Sequence, residues 1–196
     1  MEKLHRGDTP TSTNPHETML REVVVRDGVV VRPMLEADAA QLLGIMERDP
    51  SIRDHVTVAA AMQDADGVRK QVEAYTNDNS VIRYVIVHDG DVAGLVSFWR
   101  DTGYFGYTPM PYTFGFGYFT DPKRRGQHLA GDSVQALMNE AQKSFRVDQF
   151  IAFTETDNEA SQHVLRSLGF AKTDIDYTEP NMGWAESMWC KKVAQQ

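Results

Sequence analysis

Cysteine is almost absent from this 196-residue chain, which carries only Cys190. An internal disulfide and any multi-cysteine metal site are thereby excluded, and a reducing, cytoplasmic setting is expected. Within its strand-like surroundings, ESMWCKKV, the thiol reads as a small buried hydrophobe. Long apolar runs are missing too. None approaches the ~20 residues that a membrane-spanning helix requires, and the N-terminus shows no signal-peptide core. Basic residues are outnumbered: 20 Lys+Arg against 28 Asp+Glu leave a formal charge of −8. That balance argues against a nucleic-acid binder and suits a cationic partner such as an amine. His55, His88 and His163 stand apart with no metal-ligand spacing, so no metal is expected.

With 41% hydrophobic and 24% charged residues, the rest is ordinary globular composition at single-domain length. Residues 1–18 are polar and rich in Thr, Pro and Asn, and read as a flexible arm ahead of one domain spanning 19–196. Two hairpins are expected, one turning at Asp27-Gly28 and one at Asp89-Gly90-Asp91. Between them lie two helical patterns. The first carries Leu35, Ala39, Leu42, Leu43 and Met46 at helical spacing, and the second carries Val68, Val72 and Tyr75. YFGYTPMP reads as a loop. Thereafter strand and helix alternate: PYTFGFGYFT, LAGDSVQALMNEAQKSF, FIAFTE, NEASQHVLRSL ending at Gly169, and SMWCKKV. Hairpins followed by βαβ-like alternation imply a mixed sheet with helices packed upon it, an α/β (α+β) domain. Met34, Met46, Met62, Met110 and Met182 read as fillers of core or loop gaps.

Two features suggest chemistry. In the strand 112–119, Tyr112, Phe114, Phe116 and Tyr118 share one face, with Thr113, Gly115, Gly117 and Phe119 on the other. Paired glycines inside a strand mark a bulge or the close approach of a ligand, although an aromatic face alone is ordinary core. Immediately after it comes KRRGQHLAG, residues 123–131, at the mouth of a helix. Helix-start amides and the helix dipole favour an anion there, and Lys123, Arg124 and Arg125 offer further contacts.

Arg125-Gly126-Gln127-His128-Leu129-Ala130 resembles the acetyl-coenzyme A signature of the GCN5-related N-acetyltransferases (GNATs), Arg/Gln-x-x-Gly-x-Gly/Ala. Arg125 matches its first position and Ala130 its last, while His128 replaces the central glycine. Histidine tolerates a left-handed backbone better than most residues, so the turn can survive. The later NEASQHVLRSLGF resembles the family's second motif, with Asn158, Ser161, Gly169 and Phe170 matching. Together with GYFTDPKRRG, the pattern looks like the ribosomal-protein (RimJ/RimL-like) branch and covers roughly residues 23 to 195.

The resemblance implies a GNAT fold whose two middle strands splay apart around acetyl-CoA. It implies that the backbone at Phe119 and Thr120 pairs with the pantetheine arm, and that Arg125, Gly126, Gln127, His128, Leu129, Ala130 and Gly131 hold the pyrophosphate. Asn158 would lie near the reactive end of the cofactor. Many relatives use a tyrosine of the second motif as general acid. Leu165 stands at that position, which leaves Ser161, one turn earlier, as acid or thiolate hydrogen-bond donor. Glu179 is the expected general base, with Glu155 as the alternative. The loops YFGYTPMP and EPNMGW would flank the acceptor cleft. The expected reaction is acetyl transfer to a protein N-terminal α-amine or a small cationic amine such as a polyamine or aminoglycoside, by a monomer or homodimer. A non-catalytic CoA-binding regulatory module is the alternative. A phosphate-binding protein unrelated to acyl transfer would require the second motif to be coincidence.

Overall fold

The computed structural model describes residues 21–77, 81–101, 110–178, 183 and 185–194. Residues 1–18, most of YFGYTPMP and EPNMGW, Met182 and Glu179 lie outside the described residues. The chain opens with the hairpin β1 (Val23–Arg26) and β2 (Val29–Pro33). A 3-10 turn at Glu36–Asp38 leads into α1 (Ala39–Arg48), α2 (Ser51–His55), α3 (Thr57–Ala60) and α4 (Ala65–Asn77). A second hairpin, β3 (Val81–His88) and β4 (Asp91–Asp101), precedes β5 (Thr113–Thr120). After a 3-10 turn at Pro122–Arg124 come α5 (Leu129–Ser144), β6 (Gln149–Glu155), α6 (Glu159–Ser167), β7 (Ala171–Thr178) and β8 (Ala185–Lys192).

The strands form one sheet in the order β1-β2-β3-β4-β5-β6-β8-β7. Every neighbouring pair is antiparallel except β5 and β6. Each face carries its own apolar cluster. On one side Phe114, Phe116, Phe150 and Ala152 of the sheet pack with Val134, Leu137 and Met138 of α5 and Leu165 of α6. On the other, Val85, Leu95 and Phe119 pack with Leu42, Ile45 and Met46 of α1 and Val68 of α4. Alternation along β5 therefore serves both layers: even-numbered residues meet α5 and α6, odd-numbered ones face α1–α4.

The mixed, helix-flanked sheet agrees with the sequence reading, with three local differences. Leu35 precedes the helix it was expected to join and is 51% exposed, because the chain first makes the 3-10 turn. Tyr112 stands outside β5 at φ 58°, and its ring is held by Arg146 at 4.8 Å and Arg100 at 5.6 Å. TDIDYT makes most of β7, an edge strand with little burial and hence no apolar alternation to reveal it. Cys190 is half-buried rather than enclosed; its Sγ donates to Gln149 Oε1 at 3.2 Å, and burial pushes the thiol pKa up.

Candidate active site

The parallel pairing of β5 with β6 is short. It joins Thr113, Phe114 and Gly115 to Gln149, Phe150 and Ile151, and then stops. From Phe116 to Thr120 the strand stays paired to β4, but its β6-facing edge finds no strand partner among the described residues. The two strands part like a V, with α5 and α6 both starting at its open end. An extended ligand placed in the V could complete the unpaired edge of β5, and the edge includes Phe119 and Thr120.

At the mouth of α5, Gly126 has φ 76° and His128 has φ 59°, ψ 11°, a left-handed residue standing as the helix N-cap. The histidine thus occupies the conformation that a glycine would take most easily. No acceptor among the described residues takes the amides of Gly126 to Gly131; the first such bond runs from Asp132 N to His128 O at 2.9 Å. These free donors, together with the α5 dipole, make a cradle for an anion.

The arginines around the turn are paired with groups of the protein. Arg125 is ion-paired with Asp49, and Arg124 bonds His88 Nδ1 and O at 3.0 and 3.2 Å and Asp91 at 3.0 Å. Arg26 reaches from β1 to Gln127 O at 2.8 Å and Asp132 at 3.0 Å. Arg48 pairs with Asp121 at 2.6 Å. Each of these guanidiniums braces the turn against another element, and the unpaired amides stand ready for an anion.

A profile described as the acetyltransferase (GNAT) domain matches residues 29–171. The chain belongs to the GNAT family. Solved structures with the same fold include RimL, the ribosomal L7/L12 alpha-N-protein acetyltransferase, in complex with coenzyme A (19% identity, 88% of this chain, 98% of that chain, TM-score 0.74). MccE, the microcin C7 self-immunity acetyltransferase in complex with acetyl-CoA and AMP, is similar at 17% identity, with 86% and 94% covered and a TM-score of 0.72. RimJ of Mycobacterium smegmatis in complex with CoA-disulfide follows at 16% identity, 84% and 82% covered, TM-score 0.70. Among curated proteins the sequence finds no match.

The residues of the second GNAT motif stand at the V as well. Asn158 caps α6, its Oδ1 accepting the Ser161 amide at 3.0 Å. Ser161 is half-buried. It lies beside the Tyr118 hydroxyl without completing a hydrogen bond of ordinary geometry. Leu165 is 1% exposed within the α5/α6 core. Across the sheet, Glu155 ends β6 and Oε1 meets His55 Nδ1 at 2.8 Å. That hydrogen bond raises the pKa of His55 above the usual imidazole range. Among the described residues, no cluster of three His, Cys, Asp or Glu could hold a metal, and no helix is long and apolar enough to cross a membrane.

Sequence reasoning passed over three of these features. The hydroxyl of Tyr118 was hidden by the alternation of its strand, which reads as core. The His55–Glu155 and Arg48–Asp121 pairs join residues 100 and 73 positions apart, a separation at which local patterns carry no signal.

Proposed function

We propose that this GNAT domain transfers acetyl from acetyl-CoA to a primary amine, either a protein N-terminal α-amine or a small cationic amine. The observation that carries this reading is the conjunction of the splayed β5–β6 pair with the row of unspent amides from Gly126 to Gly131. Acetyl-CoA supplies an acetyl group already activated as a thioester. The residues present fit it: a free strand edge at Phe119 and Thr120 suits an extended amide-bearing arm, and the helix mouth suits a pyrophosphate.

Within this reading Asn158 orients Ser161 through the α6 cap, and Ser161 donates a hydrogen bond to the departing sulfur. The amine nitrogen bonds to the acetyl carbon, the carbon–sulfur bond breaks with its electron pair on sulfur, and the surplus amine proton passes to a carboxylate or to water. Glu179 is the first candidate for that carboxylate, and Glu155, at the end of β6, is the alternative. Much of the acceleration would come from holding amine and thioester together. RimL is by name an alpha-N-protein acetyltransferase of ribosomal L7/L12, which supports a protein N-terminal α-amine as the acceptor.

The test is free-thiol release from acetyl-CoA in the presence of N-terminal peptides, polyamines and aminoglycosides. Amine-dependent release with any of them supports the enzyme. Tight CoA binding with no release from the whole panel points instead to a non-catalytic module, the reading that Leu165 in the tyrosine position favours.

A further inference from the structure

Tyr118 carries a hydroxyl that is buried and has no hydrogen-bond partner. Its ring is fixed: it stacks on Phe116 at 6.4 Å, and Phe116 is held edge-on by Phe170 at 5.4 Å. Counting five residues on from the Thr113–Gln149 pair along both strands brings Tyr118 level with Thr154, on the same face of the sheet. There the strands have already parted, and the Thr154 hydroxyl is likewise buried and unpartnered. Two orphaned hydroxyls thus stand at one level of the V, with Ser161 of α6 beside the first. Buried polar groups are almost always satisfied, and phenylalanine would fill the same space at no polar cost.

We infer that Tyr118 is a positioning residue for acetyl transfer: its phenol donates to Ser161 Oγ and turns the serine's own proton toward the cofactor sulfur. The inference rests on the acetyltransferase reading. Its chemistry is consistent from both ends. Ser161 can accept one hydrogen bond while donating another, so the pair presents a single directed donor. Burial pushes the Tyr118 pKa up to about 12, against a smaller opposing effect of Ser161, so the phenol keeps its proton at neutral pH. A hydrogen-bond chain in a dry cleft is strengthened by its second member. Tyr118 touches Ser161 rather than the sulfur, and Thr154 marks the far wall at that depth.

The experiment titrates the thiol of bound coenzyme A, isotope-labelled at the carbon next to sulfur, by NMR in the wild type and in Tyr118→Phe. A directed donor favours thiolate, so the bound thiol pKa should rise by about one unit in the variant, a tenfold loss of thiolate. In turnover, Tyr118→Phe should lower kcat about tenfold, the worth of one hydrogen bond, with the KM for acetyl-CoA within about twofold. Ser161→Ala should raise the thiol pKa as well, and the double variant should be no worse than Ser161→Ala alone. An unchanged thiol pKa in Tyr118→Phe, or losses that add in the double variant, overturns the inference and leaves the acetyltransferase intact. Wild-type protein that fails to bind coenzyme A sinks both.

Discussion

Arg48, at the end of α1, grips Asp121 at the end of β5 with two hydrogen bonds, Nη2 to Oδ2 at 2.6 Å and Nε to Oδ1 at 3.2 Å. The carboxylate is 5% exposed and also accepts the Lys123 amide at 3.0 Å, so one buried group ties the anion cradle to the helix layer across the sheet. Burial alone would raise the Asp121 pKa; Arg48 and the Lys123 amide outweigh it and hold the group below the usual carboxylate range. Arg48→Ala should cost about 1–3 kcal/mol and weaken coenzyme A binding. A lowered folded-state pKa gives stability that is present above the unfolded carboxylate pKa and lost as pH falls through the folded value. Urea melts across acid pH should therefore show the gap between Arg48→Ala and wild type closing at low pH.

His128 raises the question of what a histidine does in a left-handed cap. If backbone geometry alone matters, His128→Gly should keep coenzyme A affinity and stay within about 1 kcal/mol of wild-type stability, relief of strain offsetting added chain entropy. His128→Val should lose about 1–2 kcal/mol and bind more weakly, since a β-branched residue resists this region. Calorimetric titration with coenzyme A decides it: lost affinity in His128→Gly would show that the imidazole itself contacts the ligand.

These contrasts trace how far the residues alone could be read. The KRRGQHLAG turn, the Asn158 cap and the order of strands and helices rest on local spacing, and local spacing is visible in a sequence. The protein partners of Arg124 and Arg125 were not legible, because charge near a helix mouth looks alike whether it meets a phosphate or an aspartate. Asp49 and Asp91 lie 76 and 33 residues away from their arginines, and only the fold brings them in. The splay of β5 from β6 is a failure of pairing beyond Gly115, which the residues carried only through the family resemblance and the paired glycines, since pairing between distant strands leaves no local signal.

Leu165 occupies the place where many GNATs carry a tyrosine, and here it is core. Leu165→Tyr should overpack the α5/α6 cluster at a cost of about 1–3 kcal/mol without raising kcat. A thermal melt with parallel thiol-release assays checks both parts. A faster, equally stable variant would show that the position still opens onto the reacting atoms.

The His55–Glu155 pair predicts a pH signature of the opposite sign from Asp121. Its hydrogen bond raises the His55 pKa, so the stability it lends is full below the ordinary imidazole value and fades as pH rises through the raised one. Because His55 is 50% exposed, the effect should stay below about 1 kcal/mol. His55→Gln should be less stable than wild type at mildly acid pH and converge with it in alkali. A constant difference across that range would mean that the pair does not titrate as a unit.

Gly115 and Gly117 share a face of β5 and should respond oppositely to a side chain. A Cβ on Gly115 would collide with the indole of Trp99, so Gly115→Ala should cost about 1–3 kcal/mol through overpacking. A Cβ on Gly117 would meet nothing within 4 Å, and the residue across from it on β4, Ser97, has a buried hydroxyl with no partner. This face looks away from α5 and α6, whose N-termini bound the cofactor side of the V. Under the proposed acetyltransferase reading, the room at Gly117 is offered to the second reactant, on the side that carries Glu155 and His55. Gly117→Val should fold normally, because valine suits a strand, yet raise the amine KM several-fold while acetyl-CoA affinity stays put. If acetyl-CoA affinity falls instead and the amine KM does not, the two substrates enter from the same face, and the division of the cleft drawn from the sheet's alternation is wrong.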